Sequence, residues 1–274
     1  MGIDVAKLKM PAISPDGIEA LELILTDDYS MAELTNIIVR DPTLSATLLK
    51  YANSPMYNPV TEVTNVQRAI AVLGVKALRA AIMVATMRSF EKPSQTSELL
   101  WEHSQAVANI AKLIAKRHFP SLADDIELAA LLHNIGALIL ATNFPVQYEE
   151  IMSTVLTDNT TLSLSEIEHE AFGFTHDDIT IAFIRTARLP KSLEEILGDF
   201  HSRPPLIDAR DIFRQQTAII SLAHLLEQDL NSHTSRLNES PPDSIENLQA
   251  SLGLSDDDIE DFLEDYDELT MAIA

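Results

Sequence analysis

Residues 97–117, SELLWEHSQAVANIAKLIAKR, decide the fold class. Leu100, His103, Val107, Ile110 and Ile114 recur at intervals of three and four, which puts them on one face of a helix and leaves Glu98, Glu102 and Lys116 elsewhere on its circumference. The same period appears at Ile18, Leu21 and Leu25 and again at Leu44, Thr47, Leu48 and Tyr51. Alternation of the kind a strand needs is nearly absent. The chain therefore reads as all-α, a bundle of about a dozen helices with a smaller amino-terminal helical lobe.

Punctuation agrees with that period. Ser14-Pro15, Ser30, Asp41-Pro42, Asn65, Ser97 and Asp208 each offer a side chain able to accept from an unpaired amide at a helix start. Stops fall at Asn53-Ser54-Pro55, Gly74, Lys92-Pro93-Ser94, Phe119-Pro120-Ser121, Leu189-Pro190 and Arg203-Pro204-Pro205. Glu91 to Thr96 is expected to part a lobe over 11–92 from one over 97–230. The cluster from Asn231 to Pro242 is expected to mark off an acidic appendage, 241–274. In that appendage nine carboxylates lie between Asp256 and Glu268, yet Ile259, Phe262, Leu263 and Tyr266 keep an apolar stripe, so a docked helix with a solvated acidic face is expected. The segment lacks the alternating ligands and turn glycine of an EF-hand.

Composition narrows the chemistry. The 274 residues contain no cysteine, which excludes disulfides, thiolate catalysis, iron–sulfur clusters and cysteine zinc sites. Seven glycines, at 2, 17, 74, 136, 173, 198 and 253, approach neither GxGxxG nor GxxxxGK[ST], so the simplest nucleotide loops are absent. A formal charge of −23 repels nucleic-acid phosphate and anionic lipid, and the longest basic run is only Lys116-Arg117. No nucleic-acid or membrane partner is expected. The opening MGIDVAKLKMPAISPDG has no signal-like apolar stretch, and the apolar run from Ala129 to Ala141 is broken by His133 and Asn134, so a cytoplasmic protein is expected.

Histidines on apolar faces carry the functional signal. His103 lies on the stripe already described; His133 falls at helical spacing from Ala129, Leu132, Gly136 and Leu140; His224 continues Phe213, Thr217 and Ile220. Three inward imidazoles can meet as ligands of iron, manganese, nickel or zinc, because bundle cores build metal sites from facing helices. Each can equally be a neutral core histidine satisfied by a carbonyl, and their spacing matches no local metal motif. His118, His169 and His233 read as surface residues.

Several blocks in order resemble the HDOD family, the HD-related output domain of bacterial signalling proteins. They are Arg40-Asp41-Pro42-Thr43-Leu44-Ser45 through Leu49, Ala52-Asn53-Ser54, Ala69 to Gly74, Trp101-Glu102-His103-Ser104, Ala130 to Gly136, Glu170-Ala171-Phe172-Gly173, His176 and Leu189-Pro190. The resemblance covers about Pro11 to Leu226 and implies a helical fold related to HD phosphohydrolases. Those enzymes hold one or two metal ions with a His, a His-Asp pair and a later Asp. His103 and His133 match the two histidines, but Asn134 stands where the paired aspartate would be and His224 where the later one would be. His176 and His201 also fall where the family often carries histidine and are expected either near the same pocket or at helix ends.

Hydrolysis needs anionic ligands and a base to orient water. The resemblance and these departures together imply a catalytically inactive, stand-alone signalling module that works through a protein partner, its oligomeric state open. The alternatives are a metal-dependent phosphohydrolase acting on nucleotides or cyclic dinucleotides, and a metal or ligand sensor. The turn holding Met56 and Tyr57 is a candidate partner surface, because both side chains adapt readily to an interface.

Overall fold

A computed structural model describes residues 5–26, 29–54, 56–57, 61–90, 94–157, 162–187, 189–198, 200–201, 211–230 and 243–271. Among these residues there are fourteen α-helices, one 3-10 turn and no strand, so the all-α expectation holds, with more helices than the dozen anticipated. The chain forms two compact units: residues 11–91 with 265–274, and residues 1–10 with 92–264.

The first of these contains α1 (Pro15–Thr26), α2 (Met31–Arg40), α3 (Pro42–Ala52) and α4 (Val66–Phe90). Helix α3 starts where its side chains dictate: Asp41 accepts from the Thr43 and Leu44 amides and Pro42 fills the first turn. Its end is fixed by Asn53, whose side chain donates to the Leu49 and Val63 carbonyls and accepts from the Val63 amide. Gly74 interrupts α4 at φ 71° and ψ 170°, a conformation open to glycine alone. Leu34, Ile38, Leu48, Ile70 and Leu78 are buried in this unit.

The second unit contains α5 (Gln95–His118), α6 (Ala123–Leu132), α7 (Ile135–Asn143), α8 (Pro145–Leu156), α9 (Leu164–Phe172), α10 (His176–Thr186), α11 (Lys191–Leu197), α12 (Ile212–Leu230), α13 (Ile245–Leu252) and the start of α14 (Asp256–Met271). Helix α5 packs against α6, α7 and α12, while α10 packs against α7 and α11. The start of α5 is Ser94 rather than Ser97; Ser97 is the third residue of a reciprocal capping box, its hydroxyl accepting from the Ser94 amide. Asp208, Lys92-Pro93, Arg203-Pro204-Pro205, His233 and the Asn231–Pro242 boundary lie outside the described residues.

The apolar stretch Asp125–Asn143 is long enough to cross a membrane by composition, and 89% of it is buried inside the unit. It is not one helix. Helix α6 ends at Leu132 and α7 begins at Ile135, so Gly136 and Leu140 do not extend the face that carries His133. The break itself places His133 and Asn134 at the junction of two helices.

A close approach holds that junction against α10. A Cβ at Gly136 would lie 1.9 Å from the His176 carbonyl oxygen, and the Gly136 amide donates to Thr180 Oγ1 at 3.1 Å. Gly136→Ala is expected to lower unfolding stability by about 3 kcal/mol, as overpacking against rigid backbone does. Denaturant titration checks this, and an unchanged midpoint would show that the α7–α10 contact is slack.

Helix α14 docks as its stripe predicts. Phe262 is fully buried and Ile259 and Leu263 are half-buried. Arg117 pairs with Asp261 and lies over the Phe262 ring. His118 is exposed, as expected, with its ring against Phe262 and its Nε2 3.2 Å from Asp258.

Candidate metal centre

Helices α5, α6 and α12 bring His103, His133 and His224 together, all at or below 1% exposure. His103 projects from the middle of α5, and its Nδ1 lies 2.6 Å from Glu227 Oε2 on α12. His133 caps the end of α6, and its Nδ1 lies 2.6 Å from the Ala130 carbonyl oxygen. When both rings are neutral, each Nδ1–H is donated outward and each Nε2 carries a lone pair. Those two Nε2 atoms face one another at 3.3 Å. In that state the facing lone pairs can share a Lewis acid, whereas a proton on one Nε2 would make a hydrogen bond between the rings instead.

His224 completes the triangle, with its ring centroid 4.8 Å from His103 and 5.4 Å from His133. Its Nε2 meets the Gln228 side-chain amide at 3.0 Å, while its Nδ1 is buried with no hydrogen-bond partner. One nitrogen from each of the three residues lies within 4.8 Å of the others. Burial, followed by the electrostatic influence of the neighbouring His103 and His201 rings, holds His133 well below the ordinary imidazole range. Burial, then His103 and His133, does the same to His224. Both rings are therefore neutral and free to donate electron pairs at pH 7.

His176 and His201 belong to the same core. His176, at the first position of α10, is fully buried; Glu168 Oε2 accepts from its amide and its Nδ1, each at 2.7 Å. Tyr148 donates its hydroxyl proton to the other Glu168 oxygen. His176 Nε2 lies 3.1 Å from His201 Nδ1, which lies 2.9 Å from Asp177 Oδ1. Burial raises the Asp177 pKa, but the charges of His201 and His176 and the hydrogen bonds from His201 outweigh it and hold the carboxyl well below its usual range. His176, Asp177 and His201 form a second group able to hold a cation. The His201 ring lies 6.2 Å from His133 and 5.5 Å from His224. His176 does stand at a helix start, but its ring there is buried rather than exposed.

The donor set fits a transition ion. A separation of 3.3 Å is what two imidazole nitrogens have on a tetrahedral ion with bonds of about 2.0–2.1 Å. The unpartnered His224 Nδ1 supplies a third donor. Glu227 behind His103 is the carboxylate that commonly fixes the tautomer of a ligating histidine. Asn134 is fully buried beside His133 and offers a neutral side-chain amide, while its backbone carbonyl accepts from the Ala137 and Leu138 amides at the start of α7.

The three carboxylates Glu168, Asp177 and Glu227 contact the histidine core and were missed by the sequence reading. Glu168 sits between Leu164 and Phe172 on the inward stripe of α9, and Glu227 lies one turn beyond His224 on α12. A carboxylate on an otherwise apolar face was the available signal. Met56 and Tyr57, by contrast, are half-buried, and the Tyr57 ring packs against Tyr51 of α3 at 5.5 Å. Pro55, Asn58 and Pro59 of that turn lie outside the described residues. His169 is exposed, as expected.

The model of the HDOD domain matches residues 10–203. No curated protein matches the chain. A candidate signal transduction protein from Marinobacter aquaeolei VT8 superposes with a TM-score of 0.73 at 22% identity, over 96% of this chain and 57% of its own length. This chain thus spans little more than half of that protein. An HDOD domain protein of unknown function from Geobacter sulfurreducens gives 0.68 at 23% identity, over 98% of this chain and 92% of its own. A candidate metal-dependent phosphohydrolase from Shewanella amazonensis SB2B gives 0.64 at 22%, over 98% and 94%. At these identities the likeness establishes the helical fold.

Proposed function

The chain belongs to the HDOD family, and from that membership we propose that it is a signalling module that cuts no phosphate bond and reports its state to a protein partner. One observation carries this reading: the converging imidazoles are closed off from solvent at 0–1% exposure, and the residue beside His133 is an amide rather than a carboxylate. A phosphohydrolase needs its centre open to substrate and an anionic group to compensate the ion and orient water.

In this reading the core histidines hold a divalent transition ion, iron, manganese, nickel or zinc, as a structural or sensed ligand. His103, His133 and His224 would bind it, with Asn134 as neutral neighbour. When bound, the ion supplies Lewis acidity and cross-links α5, α6 and α12. Glu227 orients the His103 ring and the Ala130 carbonyl orients His133. The absence of cysteine and the charge of −23 accord with a bacterial cytoplasmic protein that meets a protein rather than nucleic acid or a membrane.

The test uses the full chain purified without a histidine tag. Elemental analysis is expected to find stoichiometric transition metal, lost in His133→Ala. Nucleotides, cyclic dinucleotides and aryl phosphates are expected to remain intact under manganese, iron, nickel and zinc. The second reading, a metal-dependent phosphohydrolase, draws support from the buried carboxylates Glu168 and Glu227 and from the half-buried Asp177 beside His201. Turnover at an enzymatic rate, abolished in His133→Ala, would establish it and overturn the first.

A further inference from the structure

We propose that Phe200 is the stopper of the histidine core, the side chain that denies a fourth ligand to an ion held by His103, His133 and His224. This inference rests on the reading that those imidazoles hold an ion. The Phe200 ring is buried to 1%, and its centroid lies 5.7 Å from His133, 6.1 Å from His224 and 4.8 Å from His201.

The far nitrogens of the triad are already taken. Glu227 closes off His103 Nδ1, the Ala130 carbonyl closes off His133 Nδ1, and Gln228 closes off His224 Nε2. Three nitrogen donors leave a tetrahedral ion one position short, and an open fourth position is what separates a hydrolytic centre from a structural one. Phe200 and His201 are the further rings that border both His133 and His224. Of these, His201 is polar, and its Nε2 is buried with no hydrogen-bond partner. Phe200 offers no donor, so its ring repels water and small anions from the space it fills.

The ring is also anchored. The Phe200 amide donates to the Leu197 carbonyl at 3.3 Å, closing the end of α11. Helix α11 is pinned to α12 by the Thr217 hydroxyl, which donates to the Ile196 carbonyl at 2.9 Å. The stopper is therefore set by the helix pair that also presents His224. The ligands it excludes are small anions and water that would complete an ion's coordination, the first requirement for turnover.

The untagged full chain, stripped with chelator and loaded with cobalt(II), reports the coordination through its visible absorption, and azide serves as the probe anion. Wild-type protein is expected to bind cobalt with a spectrum that azide leaves unchanged. Phe200→Ala is expected to bind cobalt equally and to show a saturable azide shift, with affinity at least about tenfold tighter than any wild-type response. Phe200→Val keeps a branched apolar side chain and is expected to fall between them, which preserves the test should the alanine variant fold poorly. Equal azide response in wild type and the folded variants, or none in any, overturns the stopper while cobalt binding still supports the ion site. Cobalt uptake that is absent from the wild type, or unchanged in His133→Ala, overturns the ion site and the stopper with it.

Discussion

Glu127→Ala is expected to cost about 3–5 kcal/mol of unfolding free energy. Lys112 of α5 and Glu127 of α6 form an ion pair in which the side chains are 1% and 3% exposed. Truncating the acid leaves an ammonium in the core without its carboxylate, and the desolvation already incurred is no longer offset. The joint replacement Lys112→Met with Glu127→Leu removes both charges at similar volume, so it is expected to be neutral or stabilising. Chemical denaturation of the two variants checks the contrast. A single-variant cost under about 1 kcal/mol, the range of exposed pairs, would show that water reaches the site.

The second large effect is acid lability of the metal-free protein. His133 and His224 have pKa values held well below 6.5 in the folded chain and recover that ordinary value when unfolded. The unfolded state therefore binds protons that the folded state refuses, so stability rises with pH. The contribution is complete above the unfolded pKa and is lost as pH falls below it. At about pH 5.5 each ring should cost about 1.4 kcal/mol, roughly 3 kcal/mol for the two, and the loss grows with further acid. The Asp177 carboxyl, held low when folded, removes further stability in the same direction below its ordinary 3.8. Denaturation midpoints of chelator-treated protein over this range measure the slope, and His224→Asn is expected to reduce it by about one proton. A flat profile between pH 7.5 and about 5.5 would mean that these rings protonate in place.

The period of the apolar residues was sufficient for the fold class because a helix declares itself locally: each face is written within four residues, as at Leu100, His103 and Val107. Caps such as Asp41 and Ser30 are equally local, and they start α3 and α2 where their side chains accept from the helix amides. The sequence alone places the start of α5 at Ser97, three residues late, and Ser94 in a stop, since either serine can accept from an amide and the choice depends on where the preceding chain enters. His133 was legible as an inward residue for an incomplete reason. Its neighbours Gly136 and Leu140 share its apolar surroundings but belong to the next helix.

The site was half legible. His103, His133 and His224 stood out because imidazole on an apolar stripe is unusual, and their order matched a known family. Their meeting at 3.3 Å and at ring separations near 5 Å required helices 30 and 91 residues apart in sequence to cross, which no local pattern encodes. The carboxylates Glu168 and Glu227 stayed hidden among 42 acidic residues, since burial distinguishes them from solvated ones and burial is a property of the packed chain, and Asp177 stayed hidden because its contact with His201 is tertiary.

Local spacing thus sufficed for the helices, their caps and the inward turn of three histidines, since backbone geometry repeats every few residues and needs no partner to be read. Which imidazoles meet, which carboxylates stand behind them and that Phe200 lies against three of them followed from the crossing of α5, α6, α11 and α12. Those crossings are decided by the filling of a common core, where every side chain's place depends on all the others.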